Sequence, residues 1–340
     1  MNLNKNIIIE KDALINRIDI LSSFEKVLFV TTKEIENIFY DFCQKIKKTV
    51  FEFYYLTDFT VKNAYDLSYK LTVNHFDCIV SFGGGTVNDT CKLASHYSKK
   101  HLISIPTIIS NDGVSSNVSV LKFEDGTTDT LSSKSPDTII IDTNVIKNSP
   151  DIYLKSGLCD ILANFTALYD WDLAFKARKE TKNDVAYIIS SNAFWSLYNL
   201  PPTINHNNHF IKLACESLIL SGIAIEINGS SRPSSGSEHL FNHSINYYYP
   251  EKQILHGFLV GLGTLVSAIL QDRNLEYVIN YLKKYNIDVR PSVLGISKEE
   301  FTNAWMNAKT IRNRYTILNE INLNEELLHE IYYKIENEIY

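Results

Sequence analysis

Asp77-Cys-Ile-Val-Ser-Phe82, followed at once by Gly83-Gly84-Gly85-Thr86-Val87-Asn88-Asp89, is the stretch on which the fold turns. A near-continuously apolar run bounded by glycine reads as a buried strand, and a helix carrying Asp89 and Lys92 starts near Val87. Three bare backbone positions ahead of a helix N-terminus let a pyrophosphate approach closely. The free N–H groups and the helix dipole then favour the anion. The spacing is neither GxGxxG nor a P-loop, which needs Gly-Lys-Ser/Thr. Only 13 of the 340 residues are glycine, against the roughly 24 that an average usage of about 7% would give. Three in a row are therefore strong punctuation.

Outward from this turn, apolar strands alternate with helices. Lys26–Thr31, Val50–Tyr55, His101–Ile105 and Thr138–Asp142 read as strands, Lys33–Lys47 and Val61–Val73 as helices. That alternation implies a parallel sheet covered on both faces. From Asp151 onward the strand signal fades, and segments 151–178, 184–199, 208–228, 236–247, 254–270, 273–285 and 298–339 suit helices. Pro201-Pro202 and Arg232-Pro233-Ser234-Ser235-Gly236 separate them. The expectation is an α/β, Rossmann-like nucleotide-binding domain over 1–150 and an all-helical domain over 151–340. Ligands would bind in the cleft between the two.

Composition narrows the class. An apolar fraction of 45% excludes a disordered chain. No run approaches the ~18 apolar residues of a membrane span, and no signal-peptide core follows Met1, so a cytoplasmic protein is expected. The net charge of −6 is spread through the chain and gives nucleic acid no basic footprint. Five scattered cysteines without a CxxC pair argue against disulfides and a thiolate zinc cluster. Nothing in the residues fixes an oligomeric state, and a homo-oligomer is left open.

Three further regions carry chemistry. The loop Pro106-Thr107-Ile-Ile-Ser110-Asn111-Asp112-Gly113-Val-Ser115-Ser116 leaves the carboxyl end of a strand, where ligands of α/β proteins bind. At Val30-Thr31-Thr32-Lys33 there is no carboxylate to accept from a ribose 2′-OH or repel a 2′-phosphate, so NADP is expected to be accepted alongside NAD. In the helical half, Gly157-Leu-Cys-Asp160, Gly236-Ser-Glu-His239 and His256-Gly257 each open or enter a helix. One carboxylate and two imidazoles from three helices could hold a Lewis-acid metal with open positions. His239 and His243, at i, i+4, form a competing pair. They lack the intervening Glu of HExxH, which disfavours a zincin-type hydrolase. Cys159, about 100° round the helix from Asp160, reads as core.

These strings, taken in order with Asn164, Asp170-Trp171, Gly229-Ser-Ser-Arg-Pro-Ser-Ser-Gly-Ser-Glu-His239 and Arg314-Tyr-Thr-Ile-Leu-Asn-Glu320, resemble the sn-glycerol-1-phosphate dehydrogenase family. That family lies within the iron-containing alcohol dehydrogenase and dehydroquinate synthase-like superfamily. The resemblance runs from about Lys26 to Glu320, and the Gly229–His239 string is its most specific part. It implies that Asp160, His239 and His256 hold the metal, usually zinc, with nickel or iron as other options. It implies too that Gly83, Gly84, Gly85, Thr86 and Asp89 line the dinucleotide, with Thr107, Ser110, Ser116 and Thr32 nearby. Asp112 would sit where nicotinamide, substrate and metal meet, with His243 on the substrate side. Asn111 stands where family members often carry His, and Asn88 occupies the last-glycine place of the dehydroquinate synthase turn.

The implied reaction is reversible reduction of dihydroxyacetone phosphate to sn-glycerol 1-phosphate by NADPH or NADH, a step toward phospholipid or polysaccharide precursors. The metal would polarise the ketone and stabilise the developing alkoxide. Asp112 and His243 are candidates for handling the proton, and Arg232 with the neighbouring serines for the substrate phosphate. Two rival readings are a same-scaffold dehydrogenase or synthase acting on another phosphorylated ketose or aldehyde, and a non-catalytic dinucleotide-binding protein.

Overall fold

The computed structural model describes residues 5–38, 46, 49–201 and 207–339. Six strands form one parallel sheet: β1 (Asn6–Glu10), β2 (Lys26–Thr31), β3 (Val50–Tyr55), β4 (Cys78–Gly83), β5 (His101–Pro106) and β8 (Thr138–Asp142), in the order β1-β8-β5-β4-β2-β3. Successive β2 residues go to opposite faces, as the two-residue period of a strand demands. Val27 and Phe29 join a core with Ala13, Leu14, Leu21, Val80 and Ile103. Leu28 and Val30 join another with Leu67, Leu71, Val87 and Cys91. The second core is roofed by helices α1 (Val61–Val73) and α2 (Gly85–Ser98). The first is closed by the short helix Ala13–Asn16 and the 3-10 turn Ile18–Ser23.

Sheet strands foreseen from apolar runs fall where expected to within a residue at each end. Two features lay outside that reading. Ile7-Ile-Ile9 forms β1 beside β8. A separate antiparallel hairpin joins β6 (Val118–Lys122) to β7 (Thr128–Ser132). Its signal was present, since Asp125-Gly126 is a strong hairpin dipeptide, and Gly126 adopts φ +86. The helix expected over Lys33–Lys47 opens as a 3-10 turn at Lys33–Ile35, and 39–45 lie outside the described residues, as do Cys43 and Pro202.

Beyond the sheet come α3 (Asp151–Lys176), α4 (Asp184–Tyr198), α5 (Asn208–Asn228), α6 (Ser237–Tyr248), α7 (His256–Leu270), α8 (Leu275–Lys284), α9 (Lys298–Ile311) and α10 (Glu325–Asn337). The single helical stretch expected over 298–339 is two helices. Between them the chain becomes extended at Arg312 and makes a 3-10 turn at Ile317–Asn319, capped by Thr316. The reason is tertiary: Ile317 N donates to the buried carboxylate of Asp170 at 2.8 Å, which takes that backbone out of the helix.

The chain divides into two compact units, one of Met1–Asp151 with His206–Gly222 and one of Ile152–Asn205 with Ile223–Tyr340. The first turns of α5 thus cluster with the sheet, although they follow the helical half in sequence. Close packing explains it: Ser115 Oγ donates to Ile219 O at 3.0 Å, and Ser221 Oγ donates to Asp112 Oδ2 at 2.9 Å. A Cβ at Gly222 would lie 2.6 Å from Asp112 O and 3.0 Å from Ser116 N, both backbone atoms. Gly222 therefore marks a close approach of helix to loop. Gly222→Ala gains about 1 kcal/mol of helix propensity but must displace that loop, at a cost of about 1–3 kcal/mol. The balance, a net loss of about 0–2 kcal/mol, is read in denaturant unfolding; a variant more stable than the parent would refute the packing account.

Candidate metal and dinucleotide site

In the sheet unit the glycine turn and the loop after β5 come together. Thr107 N donates to Gly83 O at 3.0 Å, and a Cβ at Gly84 would strike Ile108. Gly84 caps α2 without any side-chain hydrogen bond, and Gly85 and Thr86 follow it at the helix start. Asn111 caps the next turn by accepting from Gly113 N at 2.9 Å. The Gly113 carbonyl is then held from α2 by Asn88 Nδ2 at 3.2 Å and Lys92 Nζ at 2.9 Å. Ser116 Oγ is buried with no hydrogen-bond partner.

Two residues expected to line the dinucleotide also have partners within the chain. Asp89 places Oδ1 2.7 Å from Lys92 Nζ and accepts from Val120 N at 3.0 Å through Oδ2, so it braces β6. Burial raises its carboxyl above the ordinary range, and Lys92 opposes that. Thr32 hydrogen-bonds the Glu34 side chain, which lowers that carboxyl.

In the helical unit Asp160, His239 and His256, from α3, α6 and α7, converge. Their donor atoms all lie within 4.8 Å of one another. His239 Nε2 is 3.6 Å and His256 Nε2 3.3 Å from Asp160 Oδ1. Small residues make the convergence feasible. A Cβ at Gly257 would lie 2.5 Å from the Ser156 carbonyl carbon, and one at Gly261 2.9 Å from Cys159 Sγ. Cys159 is core, as expected, with burial pushing its thiol up. Burial also works to raise the Asp160 carboxyl, but the two facing imidazoles outweigh it and hold it well below the carboxylate range. Burial opposes an imidazolium at His239, yet Asp160 and Glu238 push that ring up to about 9. A buried carboxylate sharing one point with two imidazoles demands positive charge there. Separations of 3.3 and 3.6 Å between Asp160 Oδ1 and the two imidazole nitrogens are those of donors sharing one divalent ion at about 2.0–2.2 Å, and one carboxylate with two imidazoles is a donor set that fits a metal.

His243, one turn beyond His239 with ring centroids 6.5 Å apart, lies outside the triad. Burial, then the charges of Arg312 and the donor histidines, drive it well below the usual histidine range. The i, i+4 pair that competed for the ion in the sequence is thus not the cluster that forms.

Arg232, expected beside a substrate phosphate, has several partners within the chain. It is 2% exposed, donates to the carbonyls of Asp170 and Tyr315, and sets Nε 2.8 Å from Glu180 Oε2. It thereby helps to hold the loop. Arg314 completes the clamp from the other side by donating to Ser235 O and, at 2.8 Å, to Ser231 Oγ. Burial, with Arg232 nearby, lowers Arg314 to about 10.

Residues 4–150 match the iron-containing alcohol dehydrogenase family. The fold superposes on glycerol dehydrogenase from Schizosaccharomyces pombe with a TM-score of 0.79 at 18% identity, covering 98% of this chain and 89% of that one. That likeness shows a fold shared with a dehydrogenase. The chain is 36% identical over 250 residues to glycerol-1-phosphate dehydrogenase (NAD(P)+) of Methanoculleus marisnigri, 73% of this chain and 69% of that protein. It is 32% identical over 332 residues to the enzyme of the same name from Pyrococcus abyssi, 95% and 93% of the two chains. The chain belongs to the glycerol-1-phosphate dehydrogenase family and is an oxidoreductase. No helix among the described residues is long and apolar enough to cross a membrane.

One buried group gives a pH prediction. Asp170 accepts from Ser237 N at 2.7 Å and Ile317 N at 2.8 Å. Burial first, then the charge of Glu238, raises it to about 6, against about 3.9 in an unfolded chain. The folded state therefore holds this proton at higher pH. Its contribution to stability is greatest below about pH 4 and is lost as pH rises toward 6. A carboxyl-carbon NMR titration should give Asp170 a midpoint near 6; a midpoint near 4 would contradict the burial argument.

Proposed function

We infer that the chain catalyses the reversible NAD(P)-linked reduction of dihydroxyacetone phosphate to sn-glycerol 1-phosphate. The observation that carries the reading is the Asp160–His239–His256 triad in a member of this family. Bound there, a divalent cation supplies Lewis acidity toward a ketone oxygen, while a nicotinamide supplies the hydride. Two imidazoles and one carboxylate suit zinc, which is the proposed ion ahead of nickel or iron. The cytoplasm is the proposed location, since ketone and cofactor are small water-soluble anions.

The chain's own residues bind, orient and move the proton. Gly83, Gly84, Gly85 and Thr86 leave backbone N–H groups of α2 open to a pyrophosphate, and Thr107, Ser110 and Ser116 supply hydroxyls beside them. Asp112, fixed by Ser221, and His243 are the candidates for passing a proton to or from the substrate oxygen. Thr31-Thr32 at the end of β2 brings no carboxylate to a ribose 2′ position, so both dinucleotides are accepted.

NADPH oxidation on addition of dihydroxyacetone phosphate, with the sn-1 enantiomer as product, is the expected assay result. Another phosphorylated ketose as the sole substrate would overturn the assignment. Chelation should abolish turnover and zinc restore it, and His256→Ala should lose bound metal and at least about 100-fold in rate, as removal of a transition-state electrostatic group does. Unaltered metal content and rate in that variant would refute the triad. Steady-state kinetics with both dinucleotides should give turnover with each; strong preference for NAD would sink the 2′ argument.

A further inference from the structure

Next to the donor triad stands a carboxylate that the chemistry above does not use. Glu238 is fully buried in the first turn of α6. Its Oε1 accepts from Gly236 N and lies 3.0 Å from His239 Nδ1, and its Oε2 accepts from Thr166 Oγ1 at 3.0 Å. Helix α7 presses on its backbone, since a Cβ at Gly263 would come 2.6 Å from Glu238 O and 2.9 Å from its Cα. A buried carboxylate persists only when such donors satisfy it, and every partner here also restricts where it can point.

A neutral imidazole carries its proton on one nitrogen and a lone pair on the other, and the hydrogen bond made by the first decides which is which. With Nδ1 facing Glu238, a lone pair on that nitrogen would meet the carboxylate's own electrons, whereas an Nδ1–H is accepted by it. We propose that Glu238 is a positioning residue that holds a proton on His239 Nδ1, so that when a metal displaces the other ring proton it is the Nε2 lone pair that points to the place shared with Asp160 and His256. The two imidazoles are thus set by different means. His256, with 35% of its side chain exposed, is placed through its backbone, where Gly257 N donates to Ser156 Oγ at 3.1 Å. His239, deeply buried, is placed through its ring.

This inference rests on reading the triad as a metal site. Loss of a carboxylate behind a metal-binding histidine typically weakens metal binding 10–100-fold. Glu238→Gln keeps the shape and one acceptor oxygen but removes the charge. Zinc affinity of parent and variant would be measured by chelator competition, with circular dichroism and thermal unfolding of the metal-free forms beside it. The expected result is a variant that folds like the parent without metal yet binds zinc roughly 10–100-fold more weakly. Long-range 15N–1H spectra of the zinc-loaded parent should show His239 metallated at Nε2 and protonated at Nδ1. A folded variant with parental affinity overturns the proposal, and so does coordination through Nδ1. Should Glu238→Gln fail to fold, the parent's spectrum alone decides. A parent that binds no zinc overturns the metal reading itself, an outcome distinct from a parent that binds it and a variant that binds it equally.

Discussion

The helical unit is organised around one electrostatic demand: the Asp160 carboxylate, 3% exposed, faces two imidazoles across less than 4 Å, away from water. A buried charge of this kind costs several kcal/mol unless it is compensated. Three helices must therefore deliver their donors to one place, and their backbones must come closer than ordinary side chains allow. Gly257 against Ser156, Gly261 against Cys159 and Gly263 against Glu238 are the points where α7 meets α3 and α6. A methyl group at any of them would push apart the helices that carry the donors. Overpacking of a buried contact costs about 1–3 kcal/mol, and here it would also be paid in donor geometry.

The sheet unit solves a different problem, which is to keep a loop in register with a bare turn. Lys92 is the centre of that solution. Its ammonium is fully buried, paired with Asp89, and donates to the carbonyls of Gly113 and Val118. One side chain of α2 thereby ties the loop carrying Asp112 and the start of β6 to the helix that begins at the glycine turn. Asn88 adds a second tie to Gly113 O. The polar character of the first turns of α2 is thus accounted for by its neighbours: Asn88, Asp89 and Lys92 face loop and hairpin, which leaves the turn's backbone for a ligand.

What could be read from sequence follows a physical division. Strands and helices were legible because their signals are periodic and local, as for Lys26–Thr31 or Val61–Val73. The triad was legible because His239 and His256 stand in first turns beside serine or glycine, Asp160 follows Gly157 by three residues inside its helix, and the order of the strings resembled a known family. Effects set by distant partners were not. Nothing near Asp170 announces that it will capture Ile317 N and break the C-terminal helical stretch 147 residues later. Nor does the spacing of Gly222 show that it packs on the Asp112–Ser116 loop, whereas Gly229, which opens the most specific string, follows the end of α5 in a left-handed conformation (φ +72) with open space around it. Scarcity of glycine pointed to places where backbone is constrained, and only some of those places approach a ligand.

The most distinctive string, Ser230-Ser-Arg-Pro-Ser-Ser-Gly-Ser-Glu-His239, shows why specificity of sequence and contact with substrate are separate matters. Arg232 and Arg314 donate to four oxygens of the loop and its surroundings, Ser190 Oγ donates to Pro233 O, and Gly236 sits where a Cβ would lie 2.6 Å from Asp170 Oδ2 and 3.0 Å from Glu238 Oε2. Each residue type is dictated by the packing of the segment that enters α6. The buried Arg232 and the half-buried Arg314 repel one another, and the carboxylates of Glu180 and Glu238 offset that repulsion. The whole assembly fixes the first turn of α6, and with it the position and ring orientation of His239. Whatever else the string touches, it is a mount for one donor atom, and its sequence is demanding because an ångström of error at that atom is an ångström of error in the triad.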